Sequence, residues 1–240
     1  GQMGMIVNLM HDIQTHCQSQ SLEFLLTLNI DETVDFDVVS FFYPVKVIKN
    51  QTPKGFGANH NQAFKNSAGQ LFCIVNPDIR FDSCPFGVLS SSLSKLKLGV
   101  VAPVVRGPAG QIEDSVRQFP TPREILGKAC GKSRESKYIL RGEVVFPDWV
   151  GGMCMMFPRS VFSLLQGFDE RYFLYYEDVD ICARLNLAGF PVAVLPECTV
   201  VHHAQRSSHR SVRYLRWHIS SMMRFFMSPV YRELKRLGRL

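Results

Sequence analysis

The stretch KGFGANHNQAFKNSAGQLFCIVNPD, residues 54–78, decides the fold. A Gly-bearing turn leads into a helix expected over 59–68. An apolar strand follows at Leu71–Val75, and Asn76-Pro77-Asp78 ends it, because Pro77 has no N–H for a ladder. A strand apolar almost throughout belongs to a sheet covered on both faces. Outward from this unit, a helix at 5–17, strands at 22–29 and 45–48, a helix at 85–96 and a strand at 99–104 alternate with short connections. Further on, 144–146, 153–157, 192–195 and 199–201 read as strands around a helix at 177–187. The alternation predicts an α/β domain, a mostly parallel central sheet flanked by helices. Residues 106–141, rich in Gly, Pro, Lys and Arg, read as loops with a short helix at 122–128, part of a substrate cleft.

Composition narrows the classes. With 240 residues, 46% hydrophobic and 20% charged, the chain is neither collagen-like, coiled-coil nor disordered, and it has material for one cored domain. No apolar run reaches the roughly 18–20 residues that cross a bilayer. Seven scattered cysteines without a CxxC read as buried reduced thiols, which suits a cytoplasmic location. A net charge of +6 points to an anionic partner. Nucleic acid is the weaker choice, since no binding motif accompanies the charge. From Ser211 the tail reads as one Arg-rich amphipathic helix with Trp217, Phe225, Phe226 and Tyr231 interleaved. It fits an interfacial helix on an anionic membrane, and equally a helix packed on the domain with a solvated basic face.

Chemistry concentrates at strand ends, where open α/β sheets hold ligands. Asp78, just past an apolar strand, suits a hard divalent cation bridging phosphates, although the tripeptide alone reads better as an Asx-type turn. Gly55 and Gly57 before a helix can present N–H groups to a diphosphate, or merely permit a turn. Glu177-Asp178-Val179-Asp180, after the aromatic run Tyr172-Phe-Leu-Tyr-Tyr176, reads equally as a helix cap and as the setting of a general base. In His202-His203, strand alternation sends the rings to opposite faces, so one of them can complete a metal shell containing Asp78.

Taken in order, Asn50…Gly55-Phe-Gly57…Asn61, Asn76-Pro-Asp78, Gly151-Gly152…Gly167-Phe-Asp-Glu170, Phe173-Leu-Tyr-Tyr-Glu-Asp-Val-Asp180 and His202-His203 resemble the family 2 inverting glycosyltransferases of the GT-A fold. The likeness is to the bacterial rhamnosyltransferase-like branch and covers residues 22–208. It implies a GT-A domain over 1–208 followed by a basic helical segment over 209–240. It implies that Asp178 is the base that deprotonates the acceptor hydroxyl, and that Glu177 and Asp180 bind acceptor or orient the helix. Trp149, Gly151 and Gly152 would form the acceptor wall. Asp78 and His202, with His203 the alternative, would hold Mg²⁺ or Mn²⁺. Asn76, Gly55, Gly57 and Asn61 would lie on the donor side, Asn29 or Asp31 at the nucleobase, and Arg206 against the leaving diphosphate.

The implied reaction is a metal-assisted single displacement with inversion, carrying L-rhamnose from dTDP-rhamnose to a hydroxyl of a surface-glycan (O-antigen type) intermediate. That acceptor would be lipid-linked at the cytoplasmic face of a bacterial inner membrane. One base suffices, unlike the two carboxylates of glycosidases. Two departures stand out. Family members open with a strand that grips the nucleotide, whereas Gly1 already leads into the first helix, so that strand is expected to be missing. Asn76 also replaces the first acid of the family's metal motif. Together they carry an alternative: a fold member that binds nucleotide sugar or a partner without turnover.

Overall fold

Apolar β-branched runs and amphipathic helices alternate along the chain, and the computed structural model, which describes residues 2–34, 36–129, 138–203 and 212–240, turns that alternation into a mixed α/β fold. The strands are β1 (Phe24–Leu28), β2 (Val45–Lys49), β3 (Leu71–Val75), β4 (Ile79–Arg80), β5 (Val100–Arg106), β6 (Val116–Arg117), β7 (Trp149–Val150), β8 (Cys154–Pro158) and β9 (Val192–His202). The helices are α1 (Met3–His16), α2 (Phe56–Asn66), α3 (Phe86–Leu96), α4 (Pro122–Ala129), α5 (Arg159–Leu164), α6 (Glu177–Leu187), α7 (Val212–Met227) and α8 (Pro229–Arg236).

The central sheet has the order β3-β8-β5-β9-β4. β5 pairs in parallel with β9, while β8 runs antiparallel to both β3 and β5. Thus β3, β5 and β9 share one direction, and β8 and the edge strand β4 oppose it. β1 and β2 form a separate parallel pair, and β6 and β7 a short antiparallel ribbon. The sequence VVAPVVR of β5 is buried at all but its last residue, as a strand covered on both faces requires.

Several elements differ from the sequence expectation. Residues 144–146 form no strand and make one bridge, Val145 to Val194. The strands expected at 192–195 and 199–201 are one continuous β9, whose partner register jumps between Pro103 and Val104 to accommodate Pro196, Glu197 and Cys198. Such a bulge interrupts the alternation by which strands are read. The two-residue β4 is too short to have a pattern.

The tail is two helices rather than one. Ser228 accepts the Tyr231 N–H on its hydroxyl while Pro229 occupies the first turn of α8, a start signal inside the expected helix. Phe225, Tyr231 and Leu234 then join the same core as Val179, Leu185 and Val194. So these aromatics face the domain. A second core cluster lies under α1, where Leu9 and Met10 meet Ile79 and Phe81. Cys17, Cys73, Cys84, Cys154, Cys182 and Cys198 are free, and Cys130 lies outside the described residues. Among the described residues no helix is long and apolar enough to cross a membrane.

Candidate active site

The start of α6 is built under strain. Tyr175 and Tyr176 both take left-handed backbone (φ 70° and 67°), each at a cost on the order of 1–3 kcal/mol. The double turn presents Glu177 and Asp178 to a cavity of about 880 Å³, which Phe56, Asn76, Glu113, Arg117, Trp149 and His218 also line. Asp178 is held from two sides. Its Oδ1 accepts the Val179 N–H at 2.8 Å and its Oδ2 accepts the Gly152 N–H at 3.1 Å. Burial raises its pKa, opposed by those two N–H donors and by Arg117. Glu177, 5% exposed, is pushed up to about 8 by burial and then by the neighbouring Asp178 charge, and its Oε2 has no hydrogen-bond partner. One carboxyl is therefore kept neutral beside another that is pinned in place, which is how two acids acquire different roles.

On the Asn76 side of the cavity, β3 is followed by Asn76-Pro77-Asp78 and β9 ends in His202. His202 Nε2 lies 3.1 Å from Asp78 Oδ2, and its Nδ1 lies 2.6 Å from Glu113 Oε2. The Asp78 bond, with support from Glu113 and against burial, pushes the His202 pKa up to about 9, so both ring N–H groups donate. His203 is exposed and contributes only its backbone N–H, which donates to the Asp78 carbonyl at 2.8 Å. Asn76 and Glu113 line the same cavity as Asp178 and so connect this cluster to it.

A divalent cation fits this donor set. Asp78 Oδ1 is buried without a partner, and the Asp78 and His202 side chains already converge. Glu113 on the far ring nitrogen would orient the imidazole, the usual carboxylate–histidine–metal relay. Among the described residues no group of three or more His, Cys, Asp or Glu side chains forms a complete cage, so the remaining ligands would come from the donor's phosphate oxygens and water.

Other expected site residues sit elsewhere. A Cβ on Gly55 would lie 2.6 Å from the Phe173 carbonyl oxygen, and one on Gly57 would lie 2.7 Å from Phe168 Cβ. Their small size thus lets α2 pack against the 168–173 segment. Asn61 is buried and clamps the same segment, accepting the Phe168 N–H and donating to the Phe168 carbonyl and to Glu170. Asn29 binds the Lys54 backbone in both directions, fixing the end of β1 to the turn before α2. Asp31 is exposed and is not among the cavity-lining residues. Asp180 faces away from the cavity: its Oδ2 pairs with Arg184 Nε at 2.7 Å, and Arg184 in turn caps the carbonyls of Leu165 and Gly167. That is an orienting role rather than an acceptor contact. Trp149, Gly151 and Gly152 do line the cavity, with the Trp149 N–H donated to the Gln118 carbonyl. Gly152 leaves room for the Phe56 ring, 3.3 Å from where its Cβ would stand. Arg206 lies outside the described residues.

Among the wall residues that escaped the sequence reading are Glu113, Arg117 and His218. Glu113 and Arg117 belong to the unpatterned 106–141 loop, and Arg117 lies over the Trp149 ring at 5.3 Å. His218 comes from α7, in the tail read equally as a membrane helix and as a helix packed on the domain.

No protein-family model matches the chain. It is 32% identical over 148 residues to the N-acetylglucosaminyl-diphospho-decaprenol L-rhamnosyltransferase of Mycobacterium tuberculosis, covering 57% of this chain and 48% of that protein. It is 28% identical over 185 residues to the rhamnosyltransferase WbbL of Escherichia coli K12, covering 71% of this chain and 69% of that one. The chain thus spans about half the length of the mycobacterial relative. Among solved structures, the mannosyltransferase PcManGT from Pyrobaculum calidifontis, in complex with GDP-Man and Mn²⁺, aligns with a TM-score of 0.60 at 15% identity, over 92% of this chain and 61% of that one. The chain is thus similar in sequence to named rhamnosyltransferases and shares the GT-A fold of solved glycosyltransferases.

Proposed function

We propose that the chain transfers a sugar with inversion, L-rhamnose from dTDP-rhamnose, to a hydroxyl of a glycan intermediate. The observation that carries this reading is a cavity lined by Asp178, pinned by two N–H donors, and by Glu113, which joins it to the Asp78–His202 pair. Asp178 takes the acceptor proton as that oxygen bonds to the anomeric carbon, while the bond to the diphosphate oxygen breaks and the electron pair leaves with the nucleotide. Asp78 and His202 would hold Mg²⁺ or Mn²⁺, which neutralises charge on the departing diphosphate. The Mn²⁺ bound in the mannosyltransferase complex supports that assignment.

The name of the mycobacterial relative supports a sugar-diphosphate lipid as acceptor. The basic tail supports action at an anionic membrane surface, the cytoplasmic face of a bacterial inner membrane. The test is nucleotide release from dTDP-rhamnose with Mg²⁺ or Mn²⁺ and a lipid-diphosphate N-acetylglucosamine acceptor. Wild type should release nucleoside diphosphate, and Asp178→Asn should lose roughly 10²–10⁴ of the rate while still binding donor. Transfer that survives Asp178→Asn overturns the base assignment. Donor binding without transfer from any sugar nucleotide favours a protein that binds without turnover.

A further inference from the structure

Helix α7 has two working faces. On the inner one, the Trp217 ring stacks on Phe173 at 4.6 Å, the Ser221 hydroxyl donates to the Leu174 carbonyl at 2.9 Å, and Phe225 is fully buried. His218, on the same helix, forms part of the cavity wall beside Tyr175 and Tyr176. This face is what attaches the helix to the domain.

The outer face is unaccounted for by folding. Val212, Leu215, Ile219, Met223 and Met227 remain 74%, 59%, 47%, 47% and 66% exposed. Their spacing of three or four residues aligns them into one stripe along all 16 residues of the helix. Scattered exposed apolar residues are ordinary, but a contiguous stripe of this length marks a surface that meets something. The surrounding charge has one sign. α7 carries Arg213, Arg216 and Arg224 and no acid, and at about 100° per residue Arg213 and Arg224 flank the stripe on one side while Arg216 falls at its margin between them and Val212. Beyond it, Arg232, Lys235, Arg236 and Arg239 face a single acid, Glu233.

We infer that the outer stripe of α7 docks in the interfacial zone of an anionic bilayer and holds the His218 side of the cavity against the membrane surface. A second copy of the chain suits the stripe poorly, because a self-contact along α7 would bring arginine rows together with no acid on the helix to pair them. Anionic headgroups receive those same arginines, each worth about a fivefold gain in binding near such a surface, while the aliphatic and methionine side chains enter the headgroup–acyl boundary. Trp217, Phe225 and Tyr231, the aromatics that the bare sequence offers to the membrane, are committed to the domain instead. The inference rests on the membrane-borne acceptor proposed above. It adds the surface that meets the bilayer and the reason one helix serves both site and membrane.

The experiment uses the full chain and two vesicle types, phosphatidylglycerol mixed with phosphatidylcholine, and phosphatidylcholine alone. Wild type should co-float with the anionic vesicles at low salt and not with the neutral ones. Ile219→Glu/Met223→Glu should weaken that binding about tenfold or more at unchanged melting temperature. Arg213→Gln/Arg216→Gln should weaken it by a similar factor and flatten its salt dependence. The Ile219/Met223 variant should keep wild-type transfer to a water-soluble acceptor and lose it on acceptor embedded in vesicles. Unchanged flotation of that variant overturns the docking face, as does equal binding of wild type to neutral vesicles. So does a wild-type dimer that the variant dissolves without any vesicle binding. Flotation without transfer to either acceptor defeats the transferase reading alone, and transfer to soluble acceptor without flotation defeats the docking face alone.

Discussion

Gly152 donates its backbone N–H to Asp178 Oδ2 at 3.1 Å, and a side chain at Gly152 would stand 3.7 Å from the Asp178 Cβ and 3.3 Å from the Phe56 ring. The residue that orients the base is thus also the one that leaves room for the ring beside it. Phe56 cannot retreat freely, since it packs edge-on against His60 and Phe168.

Gly152→Ala should therefore displace the turn between β7 and β8, and the base with it, by a few tenths of an ångström. The expected result is a fall in kcat of about tenfold with donor KM nearly unchanged, because small misplacements of a base act on the transition state. Steady-state kinetics with varied donor check this. A rise in donor KM at constant kcat would place Gly152 on the donor side instead.

Glu177 gives the fold a pH dependence of definite sign. Its carboxyl is held above the ordinary range by burial and the Asp178 charge, so between the unfolded and folded pKa values the folded chain binds more protons than the unfolded one. Stability then falls as pH rises through that window. Glu177→Gln removes the Glu177 share of the falling limb, leaving that of the buried Asp178 and Asp180. It should leave stability near about pH 4 little changed and stabilise the protein relative to wild type near about pH 8, read from urea midpoints. Parallel pH curves for the two proteins would mean that Glu177 is not the group responsible.

Much of this arrangement is legible in sequence, for physical reasons that differ by element. Leu71–Val75 could be read as a strand from its apolar run, although this edge strand buries only alternate residues, Phe72 and Ile74, and its end could be read because Pro77 cannot donate. Asp78 and His202 lie 124 residues apart, and only the order of motifs brings them together. Gly55 and Gly57 show the limit. A glycine records that something comes close without naming it, and the close protein neighbours here are Phe173 and Phe168. Glu113 left no signal, since a carboxylate in an unpatterned loop looks like any solvated acid. The faces of α7 were ambiguous because aromatic and aliphatic positions both recur at helical spacing, and only packing assigns one to the core.

Glu113 should matter for cation affinity more than for the fold. Its Oε2 sits 2.6 Å from His202 Nδ1 and would orient the ring toward a metal at Nε2. Glu113→Gln should weaken Mn²⁺ binding by roughly 10–100-fold, the usual cost of losing such a partner, with the melting temperature of the metal-free protein nearly constant. Titration of Mn²⁺ followed by electron paramagnetic resonance measures it. Unaltered affinity would remove Glu113 from the site.

Asp180 separates a structural from an acceptor role. Its side chain is 3% exposed and pairs with Arg184, which also holds the Leu165 and Gly167 carbonyls. Asp180→Asn leaves the Arg184 charge without its carboxylate, and breaking a buried pair from one side costs about 3–5 kcal/mol. The expected outcome is a large drop in the unfolding midpoint, shared by Arg184→Met, with acceptor KM unchanged in whatever fraction stays folded. An acceptor ligand would behave the other way, raising acceptor KM at full stability. Chemical denaturation and acceptor titration on the same preparation distinguish the two, because the ion pair acts on the 165–167 turn and only through it on the helix that carries Asp178.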